Sequence, residues 1–164
     1  MRRVGVFIDV QNLYLTTKNL YPESKGKLNF AVLKKYLEED DAIVTFSAFT
    51  SYDPENRGQL DFINWLGLNG YRVICKPLKA LPDGSVKASM DVEMAVEILM
   101  QAPSLDEVVL VTGDGDFAVL VDHLCAIGKV VRILGPERLT SPELIRACHR
   151  FENLHGIKWI LDVD

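Results

Sequence analysis

Short apolar runs alternate with helix-length amphipathic segments along nearly the whole chain, and that rhythm admits few folds. Val4-Gly5-Val6-Phe7-Ile8, Glu107 to Val111 and Lys129 to Leu134 lack strict polar alternation, as expected of strands covered on both faces. Ala42 to Thr50 and Tyr71 to Cys75 predict two more strands, rich in β-branched and aromatic residues. Between these lie helical stretches: 11–20, 30–39 behind Asn29 as a cap, 54–69 opened by Pro54 and closed by Gly70, 90–101 and 117–127. Lys76 to Lys87 reads as a hairpin around Pro82-Asp83-Gly84. Ser141-Pro142-Glu143 opens a helix to about residue 150, and 157–163 predicts a last strand. The alternation specifies a Rossmann-like, doubly wound α/β fold with a mainly parallel central sheet, in three α/β/α layers. Residues 1–164 read as a single domain.

Three acidic motifs sit where a strand hands over to a helix: Asp9-Val10-Gln11-Asn12, Ser89-Met90-Asp91, and Thr112-Gly113-Asp114-Gly115-Asp116. In an open parallel sheet the carboxyl ends of the strands line one crevice, and ligands bind there. Taken singly, Asp9 is an ordinary helix cap and Asp-Gly-Asp an ordinary solvated turn. Asp91 is more informative. It extends by one turn the stripe formed by Met94, Ala95, Ile98 and Leu99, which places an acid on the inward face of its helix. Asp116 stands in the same relation to Phe117, Leu120, Val121 and Leu124. Glu93 and Glu97 fall on the opposite, solvated side, with Glu97 able to reach the rim. Gly113 and Gly115 are expected to let the backbone bend sharply. Carboxylates gathered at one edge repel one another unless a cation lies between them. Oxygen-only ligation suits Mg²⁺ or Mn²⁺, hard ions that also bind substrate phosphates.

Other chemistries lose ground. Cys75, Cys125 and Cys148 are widely spaced, Cys75 and Cys125 reading as small buried hydrophobes, and the histidines form no HExxH pattern, which argues against zinc. Neither GxGxxG nor GK[ST] occurs. No apolar stretch approaches the roughly 20 residues that span a bilayer, and no signal-peptide core precedes Asp9, so a cytoplasmic protein without membrane contact is expected. The net charge of −5 gives no global attraction to a polyanion, but leaves room for a local basic rim from Arg57, Lys76, Lys79 and Lys87, with Tyr14 and Tyr52 near enough to consider as base-stacking groups.

The same motifs resemble the NYN domain, a branch of the PIN-like nuclease superfamily, particularly its bacterial LabA-type members. Ile8-Asp9-Val10-Gln11-Asn12 is similar to the opening V/I-D-x-x-N, Lys87 to Glu93 to the K-G-x-D-V segment, and Thr112 to Phe117 to the S/T-G-D-x-D-F signature. The resemblance implies a PIN-like fold and an Mg²⁺- or Mn²⁺-dependent ribonuclease acting on single-stranded RNA. It also implies Asp9, Asp91, Asp114 and Asp116 as metal-binding acids, Asn12 as helping to hold the first acid or a metal-bound water, Thr112 as shaping its turn, and Lys87 and Thr112 as substrate contacts. Two departures stand out: Lys87 lies four residues before Asp91 where many relatives have three, and Glu97 replaces a frequent aspartate. The alternative is a non-catalytic PIN-like regulator that binds RNA or a protein partner. A haloacid-dehalogenase-like phosphatase fits less well, since it needs a DxD where this chain has Asp9-Val10-Gln11. A homodimer through an exposed helix or edge strand stays open.

Overall fold

The structure, a computed structural model, describes residues 2–39 and 42–161. Strand β1 (Val4–Asp9) leads into helix α1 (Val10–Leu20), then α2 (Phe30–Glu38), β2 (Ile43–Tyr52), α3 (Arg57–Leu68) and β3 (Arg72–Pro77). A two-stranded hairpin, β4 (Lys79–Ala80) and β5 (Val86–Lys87), precedes α4 (Asp91–Gln101). The rest runs β6 (Glu107–Val111), α5 (Ala118–Ala126), β7 (Val130–Gly135), α6 (Pro142–Ala147) and β8 (Arg150–Asn153).

Six strands form one parallel sheet in the order β3-β2-β1-β6-β7-β8, and the hairpin stands apart from it. The chain winds outward from β1 through β2 to β3, then returns to the other side of β1 for β6, β7 and β8. The order therefore reverses between β1 and β6. That switch point opens a crevice at the carboxyl edge, because the connections leave β1 and β6 toward opposite faces.

Side-chain parity divides the core. Val4, Val6 and Ile8 of β1 pack on one face with Leu13, Leu33, Leu37 and Leu66 from α1, α2 and α3. Phe7 packs on the other with Met94 and Ile98 of α4 and Leu120, Val121 and Leu124 of α5. Since strand side chains alternate, Asp9 shares the parity of Phe7 and is aimed at the α4 layer. Thr112, one residue past β6, shares the parity of Val108 and Leu110 and is aimed the same way. Among the described residues, no helix is long and apolar enough to cross a membrane.

Several expectations are corrected. The last strand is Arg150–Asn153, pairing with β7, not 157–163. Helix α6 ends at Ala147, and Cys148 is already extended at φ −83°, ψ 162°. The next segment instead buries Ile160 and bridges Leu161 to Leu28; residues 162–164 lie outside the described part. Charge disguised the strand: Arg150 and Glu152 pair with each other, and Glu152 also with Arg132. Helix α3 starts three residues after Pro54, behind Asn56, whose side chain accepts from the Gln59 N–H at 3.1 Å. Leu99 is 43% exposed and lies off the packed face of α4. Cys75, on the edge strand, is exposed.

Candidate metal centre

Asp9 is the cap of α1 and a member of the crevice at once. One carboxylate oxygen accepts the Asn12 N–H at 3.2 Å; the other accepts the Thr112 hydroxyl at 3.0 Å. The Thr112 hydroxyl in turn accepts the Asp114 N–H at 3.1 Å. The Asn12 side-chain oxygen accepts the Gly113 N–H at 2.9 Å. Two side chains thereby lock the end of β1 to the end of β6, and the acid after each strand is held relative to the other.

Asp114 accepts the Asp116 N–H at 2.9 Å and so caps the short turn 115–117. Neither Gly113 nor Gly115 adopts a positive φ, so their role is closeness rather than a sharp bend. A Cβ on Gly113 would lie 3.2 Å from the Leu139 carbonyl oxygen, and one on Gly115 2.6 Å from the Ser141 hydroxyl. Residues 139–141 pack directly on the acidic turn.

Asp91 arrives from the third direction, in the first turn of α4, with its N–H on the Ser89 hydroxyl at 3.2 Å. The segment before it is clasped to the sheet by Ser51, which donates to the Ala88 carbonyl at 2.9 Å. Ser51 had no motif to announce it; a hydroxyl at the carboxyl end of β2 is the sole trace in the sequence.

These placements bring one carboxylate oxygen each from Asp9, Asp91 and Asp114 within 4.8 Å of one another. Burial pushes the Asp9 carboxyl up to about 6, against the Asn12 N–H and Thr112 hydroxyl that favour its charge; Asp114 adds to the rise. Burial likewise raises Asp91 to about 6, with the charges of Asp114 and Asp9 behind it. No lysine or arginine pairs with any of the three among the described residues. A cluster of converging oxygen donors, short of positive charge and anchored from behind, has the chemistry of a hard-cation site. The donor set fits a divalent metal without naming which.

Asp116 is exposed and outside this three-acid group, although its charge contributes to raising Asp91. Thr112 is fully buried with its hydroxyl committed to Asp9 and Asp114; it holds the turn and positions acids, and leaves no surface for the expected substrate contact. Lys87 is exposed on β5, where its charge reaches Glu93 rather than an acid of the centre. Glu93 and Glu97 are not free: they pair with Lys76, at 2.5 Å, and with Arg72, tying α4 to β3 and drawing Glu97 away from the rim.

Comparison with known proteins places this geometry. The NYN domain profile matches residues 3–155. The chain is 27% identical over 169 residues to the low amplitude and bright protein LabA of Synechococcus elongatus, covering 98% of this chain and 88% of that protein. It is also similar to the crystal structure of VPA0982, a protein of unknown function from Vibrio parahaemolyticus. That likeness has a TM-score of 0.82 and 30% identity, covering 92% of this chain and 91% of the other.

Proposed function

Since this chain belongs to the NYN domain family, within the PIN-like nucleases, we propose that it is an Mg²⁺- or Mn²⁺-dependent ribonuclease that hydrolyses phosphodiester bonds of single-stranded RNA. The observation that carries this reading is the trio Asp9, Asp91 and Asp114, converging within 4.8 Å with no lysine or arginine partner among the described residues. A divalent cation bound there supplies Lewis acidity toward a phosphodiester and lowers the cost of activating water.

The chain's own contribution is geometric. Asp9, Asp91 and Asp114 are the proposed ligands, delivered by β1, α4 and the turn after β6. Thr112 and the Asn12 backbone hold Asp9 in one rotamer, and the Asn12 side chain fixes the Gly113 turn that presents Asp114. Preset donors need no rearrangement when charge develops in the transition state. Asp116, exposed and near enough for its charge to act on Asp91, would orient water or join the coordination from the solvent side. Among the described residues no cysteine joins the trio, and Ser89, which accepts the Asp91 N–H, has no histidine partner, so water rather than a side chain is the nucleophile in this reading.

Cleavage of a labelled single-stranded RNA with Mn²⁺, compared between wild type and Asp114→Asn, tests it. Asparagine caps turns as well as aspartate does and retains the acceptor for the Asp116 N–H, so the fold should survive. Activity should fall by more than the roughly 10–100-fold typical of losing an outer partner of a metal ligand. Equal cleavage by both proteins sinks the assignment. Binding of Mn²⁺ and RNA with no turnover in either would instead support a regulatory protein.

A further inference from the structure

A cavity of about 650 Å³ opens between α1 and α3, one residue along the chain from Asp9, and none of the three acids lines it; its volume is within the range of about 300–1,000 Å³ common for ligand sites. Val10 and Gln11, the residues directly after Asp9, form part of its wall, and Phe62 of α3 and Leu78 after β3 supply apolar surface. Lys25 and Lys27 stand on its rim.

The rim is built rather than loose. Lys25 and Gly26 both take left-handed backbone, at φ 55° and 79°. The Ser24 hydroxyl accepts the Gly26 N–H at 3.1 Å. A Cβ on Gly26 would stand 2.6 Å from the Tyr14 ring, so only glycine lets the turn press onto that ring. Tyr14, 42% exposed, also lines the cavity. Lys25 and Lys27 are exposed and make no ion pair among the described residues, whereas Lys34 and Lys76 are each spent on a glutamate. In a chain of net charge −5, two uncommitted cations on one four-residue turn are a local reversal of sign.

Leu78 is shared with a second hollow, of about 430 Å³, walled by Lys79 and Lys87 of the hairpin together with Lys76, whose charge Glu93 already takes. Cations, an apolar and aromatic slot, and cations again therefore follow one another across the two hollows that share Leu78. That order matches a single polynucleotide strand, in which phosphates flank each flat base. An acidic peptide would satisfy the lysines but leave the slot between them without a planar apolar occupant. A duplex offers the phosphates but keeps its bases stacked and paired.

We propose that this cavity takes an unpaired nucleobase of the RNA strand whose phosphodiester is cleaved at the acidic centre, Tyr14 and Phe62 contacting its face or edge, while Lys25 and Lys27 bind the phosphate of that nucleotide. The choice of ligand rests on the ribonuclease reading above, and the test separates the two.

Gly58 lines the cavity in the first turn of α3. A Cβ there meets only the Asn56 side-chain oxygen, at 3.4 Å, so Gly58→Leu occupies the slot without a backbone clash and improves helix propensity. The second variant, Lys25→Gln with Lys27→Gln, removes the rim charge. Fluorescence anisotropy with a ten-nucleotide oligouridylate in EDTA, where no metal-dependent turnover occurs, reads binding; melting temperatures verify folding. Each variant is expected to weaken binding at least about tenfold, and an RNA duplex of the same length to bind weakly to all forms. Wild-type affinity in a folded Gly58→Leu protein overturns the slot, as does failure of the wild type to bind the oligouridylate. If the variants lose binding yet the wild type cleaves no RNA with Mn²⁺, the slot stands and the nuclease reading falls. Cleavage by wild type with unaltered binding in both variants has the opposite meaning.

Discussion

Glu152 and Asp9 are both carboxylates drawn away from water in the same sheet, and their surroundings differ in kind. Glu152 accepts from Arg132 at 2.8 Å and from the Tyr36 hydroxyl at 3.0 Å, and pairs with Arg150 at 2.6 Å. Burial pushes its carboxyl up, but the Arg132 guanidinium, then Tyr36 and Arg150, pull harder and hold it below the usual range. Asp9 has one N–H, one hydroxyl and two more acids. It ends up raised to about 6. At the amino edge of the sheet, buried Glu107 likewise has Arg2 at 3.3 Å. This fold thus supplies an arginine where a buried acid serves structure and withholds one at the switch point, which is what a site completed by an outside cation requires.

The contrast breaks most sharply if the cationic partner is removed where one exists. Arg132→Met should destabilise the protein by about 3 kcal/mol, the low end of the cost of stranding one member of a buried pair, because Arg150 still faces Glu152. Urea unfolding measures it. A loss below about 1 kcal/mol would show that Glu152 is not held by its arginines, and the comparison with Asp9 would lose its reference.

Acidity should move the two regions in opposite directions. A carboxyl whose folded pKa is raised keeps its proton longer when folded, so its contribution is fully present below the unfolded value of 3.8 and is lost as pH rises through about 6. For Asp9 alone that shift amounts to about 3 kcal/mol, and Asp91 adds in the same direction. Glu152 behaves oppositely: its contribution is present above 4.5 and is lost as pH falls through its lowered folded value. In EDTA, therefore, stability should decline from pH 4 to pH 6.5 by roughly 2–3 kcal/mol from the centre. Mn²⁺ at pH 7.5 should restore about 2.7 kcal/mol at a hundredfold excess over its dissociation constant. Thermal melts across pH with and without Mn²⁺ check this, and Asp9→Asn should flatten the metal-free slope. A flat wild-type profile would mean that the acids already have a counter-charge.

Much of the difference was readable in the sequence, and the unread part has a physical cause. Apolar β1 and β6, the acid after each, and the inward stripe under Asp91 obey local periodicities of two and 3.6, so they survive without tertiary information. Strand β8 does not, because Arg150 and Glu152 look like surface residues until Arg132 and Tyr36 arrive from other elements. The same limit hid the Thr112 hydroxyl, whose partner Asp9 lies 103 residues away. It also hid the ion pairs that occupy Glu93 and Glu97. Patterning announces which acids are present; the partners that neutralise or strand them are long-range.

Asn12 offers the smallest and finest cut, since it sits against the acids yet carries no charge. Its side-chain oxygen satisfies the Gly113 N–H at 2.9 Å, and a single such bond contributes about 0.5–1.5 kcal/mol. Asn12→Ala should cost about 1 kcal/mol at every pH and lower Mn²⁺-dependent RNA cleavage by roughly 10–100-fold, as expected for a group that orients metal ligands. Asn12→Asp keeps the acceptor and adds a negative charge beside acids already starved of cations. It should match wild type in metal-free melts near pH 4, where Asp9 and Asp91 are largely protonated, and fall below it at pH 7.5. If Asn12→Asp instead tracks the alanine variant at both pH values, geometry alone governs the turn and the scarcity of positive charge at this edge has no energetic weight.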